Sequence, residues 1–392
     1  MKSIFFLQLS NFLSGAANAV VMITIPWLVL EVTNSAAFAG LVVALSSIPS
    51  LLIAPFGGVI IHRLGSRFVS ATADLMSTAS VVAIPILALT GRLTGFTILI
   101  FALIGAVFDP LGYTARKTMI QATAEKANFN VDRLNGIHEG LLGASWVIGP
   151  AIGAWLIAIF GASNSFWIAG SLFILAALAI VFVSKPKRTE LSVSAKQENQ
   201  LSLGFRRIWS DKYLRVLLFS VLILAAIYLP TESVVLPAYF ESVARPIDLG
   251  LVISVLAGGS TLSAFAYGWI ISRISGRNLV RIAFIGAALG TLVMSFLPPL
   301  SVMLLAALLL GLSWGPFMPY LTSKIQMRFD PAEHPMIFSA QTAVFYAAPP
   351  LGMVIVGFAV EEFGVSTAYL GIGVVITIVA VIAVLSKTLR DN

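Results

Sequence analysis

The chain has 392 residues, of which 58% are hydrophobic and only 10% charged, with a formal net charge of +7 and a mean hydropathy of +0.98. A soluble domain carries roughly 25% charged residues, so this composition predicts an integral membrane protein. There is no cysteine and there are only three histidines, His62, His138 and His334, which excludes disulfides, thiol catalysis and cysteine or paired-histidine metal centres.

Apolar runs of about 20 residues, the length of a helix that crosses a bilayer, recur about twelve times. None shows the alternation of a barrel strand. In chain order they predict spans over 4–31, 36–61, 69–90, 94–115, 136–160, 164–184, 214–239, 247–272, 279–298, 300–322, 336–360 and 364–386. The first run, with Lys2 before it and Ala17-Asn18-Ala19 inside it, has features of a signal peptide. It continues to Leu30, however, and reads as a span. With the N-terminus in the cytoplasm, all but two of the 24 lysines and arginines (Arg92 and Arg245) fall on the inner side. This asymmetry predicts an even span count and two cytoplasmic termini. It also accounts for the basic charge without a nucleic-acid partner.

The polar segment 185–213 divides the spans into two halves, 1–184 and 214–392. It opens on Lys185-Pro-Lys-Arg188. Ser192 to Gln200 reads as a mobile tether. Phe205, Ile208 and Trp209 then fall on one face of a short helix, predicted to lie on the inner leaflet.

The halves echo one another. Gly58-Val-Ile-Ile-His-Arg-Leu-Gly-Ser-Arg67 returns half a chain later as Gly268-Trp-Ile-Ile-Ser-Arg-Ile-Ser-Gly-Arg277. Ile25-Pro26 is matched by Leu236-Pro237, Pro110 by Pro319, and Pro150-x-x-Gly153 by Pro349-Pro-Leu-Gly352. A short loop rich in Gly and Arg between apolar runs, used twice, predicts one membrane module repeated.

Four acids fall inside predicted spans, where a charge is costly and seldom idle: Asp74, Asp109, Glu139 and Glu232. Glu232 follows Pro230 and has no basic residue nearby in sequence, which suits an acid that loads and releases a proton. Asp109, Tyr113 and Arg116 share a helical face; the pattern fits a proton relay or an ion pair of a gate. Glu139, beside His138, reads as an acid at a helix start, favoured by the macrodipole. Gln8, Asn11 and Asn18 share one side of the first span and either contact a substrate or bond neighbouring helices. Gln341, Thr342 and Tyr346 are similar candidates in span eleven. Trp146, Trp314 and Tyr320 either line an apolar pocket or pack.

Two six-span halves, a central cytoplasmic loop and Gly58-x-x-x-x-Arg63-x-Gly65-x-Arg67 after span two together resemble the major facilitator superfamily, over essentially the whole chain. Gly136, Ser145, Gly149-Pro150 and Gly153-Ala154 resemble its span-five antiporter motif, with Ser145 and Ala154 where the motif usually shows glycine. Pro26-Trp-Leu-Val-Leu30, Ala73-Asp74, Phe108-Asp-Pro110, Arg116-Lys117, Asn135 and Leu203-Gly-Phe205 resemble the bacterial drug-exporter branch, which includes macrolide and enterobactin exporters. The resemblance implies an all-α fold of twelve transmembrane helices in two pseudo-symmetric halves, working by alternating access. It also implies a cytoplasmic gate formed by Gly58, His62, Arg63, Gly65, Arg67, Asp74 and Arg116. His62 stands where the family usually has an aspartate, so Asp74 is the expected partner for Arg63, Arg67 or Arg116. No arginine precedes Arg116 in span four, unlike many proton-coupled exporters.

These readings together predict a monomeric secondary transporter of the plasma (inner) membrane that exports small amphipathic or hydrophobic compounds against protons, with Glu232 and Asp109 as coupling acids. No nucleotide-binding loop is present, and no cofactor or metal is expected. A dedicated carrier of one metabolite, such as a siderophore or lipid, and a non-transporting receptor or scaffold remain open alternatives.

Overall fold

The computed structural model describes residues 1–184, 197–330 and 333–386; within them the side chains at 51, 54, 55, 58, 197–202, 335, 339, 342–344, 346 and 347 are not described. The described elements are all helical. In order they are α1 (Lys2–Thr33), α2 (Ala36–Leu64), α3 (Ser66–Leu89), α4 (Gly95–Thr118), α5 (Ile120–Lys126), α6 (Val131–Phe160), α7 (Ala162–Val181), α8 (Gln197–Ser210) and α9 (Lys212–Pro230). A π-helical turn, Thr231–Val235, leads into α10 (Leu236–Ser242). Then come α11 (Pro246–Phe265), α12 (Tyr267–Ile271), α13 (Gly276–Ser295), α14 (Leu300–Trp314), α15 (Phe317–Arg328), α16 (His334–Phe363) and α17 (Val365–Leu385). Among the described residues ten helical stretches are long and apolar enough to cross a membrane. Large apolar side chains such as Leu89, Phe265, Leu305 and Leu385 are exposed, while Asp74, Arg116, His138 and Thr291 are buried. That inversion suits a chain whose outer solvent is hydrocarbon, where polar groups must find partners inside the protein.

The chain forms two compact units, residues 1–193 with 240–250, and residues 194–239 with 251–392. In the first, α3 packs on α4 and α7, α1 on α6 and α7, and α2 on α4. In the second, α13 packs on α14 and α17, and α9 on α16 and α17. Taking α9 for α1, α13 for α3, α14 for α4, α16 for α6 and α17 for α7, the pairings repeat, as the sequence echoes lead one to expect. The helix junctions repeat as well. Gly161, between α6 and α7, has φ 80° and ψ 158°, and Gly364, between α16 and α17, has φ 78° and ψ 158°. That region of backbone space is open essentially to glycine alone.

Small residues let helices approach closely within each unit. Along the α1–α6 seam, Gly149 lies against Ala19, and a Cβ at Gly153 would stand 3.2 Å from Val20 Cα. Ser145 hydroxyl donates to Phe12 O of α1 at 3.1 Å and to Leu141 O in its own helix at 3.0 Å. Gly136 does not join this face: nothing lies where its side chain would be. In the second unit the matching seam sets Gly352 of α16 directly on Ala226 O of α9. Pro230 has no N–H to give that carbonyl the usual i+4 bond, and a Gly352 Cα–H points at it instead.

Several boundaries differ from the sequence reading. α6 starts at Val131 rather than 136, because Asn130 caps it by accepting from Arg133 N at 2.8 Å. Glu139 is therefore two turns inside the helix, and the first-turn acid is Asp132. Predicted span eight breaks at Ala266, and span ten breaks at Gly315-Pro316. The tether expected up to Gln200 is already helical from Gln197; residues 185–196 lie outside the described ones. The α8 face is also divided. Ile208 is buried, Phe205 and Trp209 are exposed, and Gly204 rests on Met336 O of α16. Arg207 pairs with Glu333 just before α16, and Arg328 with Asp211.

Candidate functional site

Two clusters of polar groups in the first unit join α1 to α4. The first is a buried ion pair: Arg116 Nη1 of α4 donates to Asp74 Oδ2 and Oδ1 of α3 at 2.9 and 3.2 Å, with both side chains 3% exposed. Ser14 of α1 closes the triangle. It accepts from Arg116 Nη2 at 2.9 Å and donates to Asp74 Oδ1 at 2.8 Å. Ser70 accepts weakly from Arg116 Nη1 at 3.4 Å. Gly112, against Ala73, leaves the space through which the guanidinium crosses. Such a network holds three helices together as long as every member has its partner.

Of the three arginines named for Asp74, Arg116 is the one it meets; Arg63 is exposed and His62 and Arg67 are half-buried at the α2–α3 junction. Gly65 has a clear conformational reason, since it turns that junction at φ 87° and ψ 136°. Its counterpart Ser275 does otherwise: with φ −65° its side chain caps α13 by accepting from Asn278 N. The second copy of the loop thus keeps the turn by different chemistry, and its Arg273 stacks 4.1 Å over the Trp269 ring. The Gly58 surroundings lie outside the described residues.

The second cluster borders a cavity of about 180 Å³ within the first unit, walled by α1, α2, α3, α4 and α7. Asn18 and Asp109 both line it, and the Asn18 amide N–H donates to the Asp109 carboxylate. Ser46, Ser50, Ser77 and Ser80 supply its other polar wall. Gln8 and Asn11, grouped with Asn18 as cavity candidates, do not reach it. They are buried between α1 and α6, where Gln8 bonds His138 Nδ1 at 3.1 Å and Asn11 donates to His138 O at 2.9 Å. Tyr113 also turns away from Asp109: its hydroxyl donates to Glu139 Oε1 at 3.3 Å, and Lys117 Nζ pairs with the same oxygen at 2.7 Å. The expected Asp109–Tyr113–Arg116 line is thus divided among three sets of partners.

In the second unit, Glu232 sits in the π-helical turn that follows Pro230. A π turn widens the helix by a residue, and such turns concentrate at functional positions. The buried hydroxyls of Tyr228 and Tyr369 have no hydrogen-bond partner among the described residues, and their phenols stand within electrostatic range of the Glu232 carboxyl. No described basic side chain pairs with it. Gln341 is buried with its Oε1 unpartnered among the described residues; the side chains of Thr342 and Tyr346 lie outside them. Tyr320 is packed, bonded to Tyr213 at 2.6 Å and covered by Gly276. Trp314 stacks on Phe317, and Trp146 is exposed on the flank of α6. None of the three aromatic residues lines the cavity.

Ser14, Ser70 and the four cavity serines were absent from the sequence reading. The signal for Ser14 was present: with Gln8, Asn11 and Asn18 it continues the polar side of α1 at helical spacing. Serines elsewhere bond mostly to their own helix, so nothing in sequence separates those at the cavity.

A family model described as Major Facilitator Superfamily matches residues 7–329 and 232–391. Over 395 aligned residues the chain is 31% identical to the multidrug efflux pump Tap of Mycobacterium tuberculosis, covering 99% of this chain and 94% of that protein. It is 23% identical to the multi-drug resistance efflux pump PmrA of Streptococcus pneumoniae over 372 residues, covering 90% and 88%. Among solved structures, the nucleoside transporter NupG superposes with a TM-score of 0.80 at 13% identity, covering 97% of this chain and 98% of that one.

Proposed function

Since the chain belongs to the Major Facilitator Superfamily, we propose that it is a secondary transporter that exports small amphipathic or hydrophobic compounds, drugs among them, in exchange for protons. The observation that carries this reading is the near full-length likeness, at 31% identity, to a protein named as a multidrug efflux pump. The carrier is multi-pass. We place it in the plasma (inner) membrane as a monomer with twelve spans, both termini cytoplasmic, and halves 1–184 and 214–392 that work by alternating access.

Within this reading Glu232 is the principal coupling acid. Its π turn, its two phenol neighbours and the lack of a basic partner suit a carboxyl that gains and loses a proton during the cycle. Asp74, Arg116, Ser14 and the Gly65 turn form the cytoplasmic gate, whose bonds form and break as access alternates. The α1–α6 seam of Ser145, Gly149, Pro150 and Gly153 is the surface that keeps the first unit closely packed.

The test uses cells lacking their own efflux pumps and follows accumulation of a lipophilic cationic dye. Expression should lower the dye, an uncoupler should restore it, and Glu232→Gln should lose the gradient-driven part. No effect of expression, with the protein present in the membrane, would replace this reading with a narrow metabolite carrier. Unchanged efflux in Glu232→Gln would remove Glu232 from coupling.

A further inference from the structure

The cavity in the first unit is unusual in what its polar wall has left to offer. Ser46 donates its proton to Val42 O at 2.7 Å, Ser50 to Ala106 O at 2.9 Å and Ser80 to Ser77 O at 2.8 Å. One N–H of the Asn18 amide is committed to Asp109. With their protons used, these three serines have only oxygen lone pairs left to offer the cavity, because each hydroxyl has one proton but two acceptor positions. Asp109 adds a carboxylate. Among the described residues it forms no ion pair, since Arg116 is bound to Asp74, Ser14 and Ser70.

We propose that this cavity binds a small monovalent metal cation of the sodium class, with the Asp109 carboxylate as its counter-charge and the Ser50 and Ser80 oxygens among its neutral ligands. Hard cations take oxygen ligands, and on a wall otherwise apolar (Val21, Ile25, Ile84, Phe101 and Phe173 among it) the polar groups that gather with Asp109 offer mostly oxygen. An anion would meet the Asp109 carboxylate, a like charge with no described cation paired to it. One carboxylate balances one charge, which favours a monovalent ion over a divalent one. Size also selects. A volume of about 180 Å³ holds about six waters, whereas drug-sized ligands occupy pockets of about 300–1,000 Å³. A partly hydrated ion fits, and a drug molecule does not. That such an ion helps drive export rests on the transporter reading above; that it binds does not.

The experiment measures binding directly. Full-length protein in lipid nanodiscs is equilibrated with radioactive sodium ion at fixed pH, with N-methyl-D-glucamine chloride holding the ionic strength constant. The expected result is saturable binding near one ion per chain. Asp109→Asn should weaken it at least tenfold and Ser80→Ala severalfold, while Glu139→Gln, outside the cavity, should leave it unchanged. Melting curves establish that each variant is folded, and Ser80→Ala stands if Asp109→Asn does not fold. Absence of saturable binding in folded wild-type protein, or binding indifferent to both substitutions, overturns the proposal. If sodium does not bind but Asp109→Asn still alters dye efflux, the cavity serves protons alone; the cation site is then wrong while the export reading stands.

Discussion

Removing one member of the Asp74–Arg116 pair should destabilise the first unit far more than removing both. Each side chain is 3% exposed, so neither charge has water to fall back on. Arg116→Met leaves a buried carboxylate with a single donor, the Ser14 hydroxyl. Asp74→Leu leaves a guanidinium that still has Ser14 and Ser70 as acceptors. Stranding one half of a buried pair costs about 3–5 kcal/mol, and the contrast in leftover partners puts Arg116→Met at the upper end and Asp74→Leu at the lower. The double variant Asp74→Leu/Arg116→Met strands no charge, and replacing a buried pair by apolar groups of similar size is often neutral. Its cost should therefore fall below that of either single change. The assay is unfolding by SDS titration in mixed micelles, taken around the double-mutant cycle. If the two single costs simply add, to about 6–10 kcal/mol, the groups are not a mutually compensating pair and the network reading fails.

Other substitutions test other parts of the structure by the same titration. Gly149→Ala should lose about 1–3 kcal/mol by overpacking against Ala19, whereas Gly136→Ala, in open space in the same helix, should gain up to about 1 kcal/mol from helix propensity. Equal effects would dissolve the distinction between packed and unpacked glycines in this motif. Gly65→Ala should cost about 1–3 kcal/mol, since φ 87° is strained for any residue with a Cβ; Ser275→Gly should cost about 1 kcal/mol at most, through a lost cap. Lys117→Ala should change stability by less than about 1 kcal/mol, its ion pair with Glu139 being half exposed. A large loss there would mean that the pair belongs to the buried network.

Much of the fold was legible because hydrocarbon imposes a simple code. Long apolar runs must be helices, and the repeated Gly/Arg loop announced the twofold reuse that the helix pairings display. Helix ends were less legible. Asn130 starts α6 earlier than its apolar stretch suggests, because a cap is a single polar residue outside the periodic pattern. The pairing of Asp74 with Arg116 could be narrowed to three arginines and no further, since choosing among them needs the crossing geometry of α1, α3 and α4. The polar side of α1 was visible, but not its division. Gln8 and Asn11 bond α6 while Asn18 reaches α4, because α6 and α4 flank α1 at different heights. The repeat at Gly161 and Gly364 escaped notice because one glycine in a short loop carries no pattern; only matched φ and ψ reveal it.

The contact of Gly352 with Ala226 O has a mechanical consequence. A carbonyl held by an N–H donor inside a membrane gives up that bond reluctantly, whereas a Cα–H contact is worth only about 0.5–1 kcal/mol. Pro230 has therefore put a weak fastening where α9 would otherwise have a strong one, one turn before the π stretch that carries Glu232. The segment can flex there, or slide against α16, by exchanging a weak partner for another rather than by breaking a helical bond. Glu232 thus stands just beyond a weakly held point of its helix.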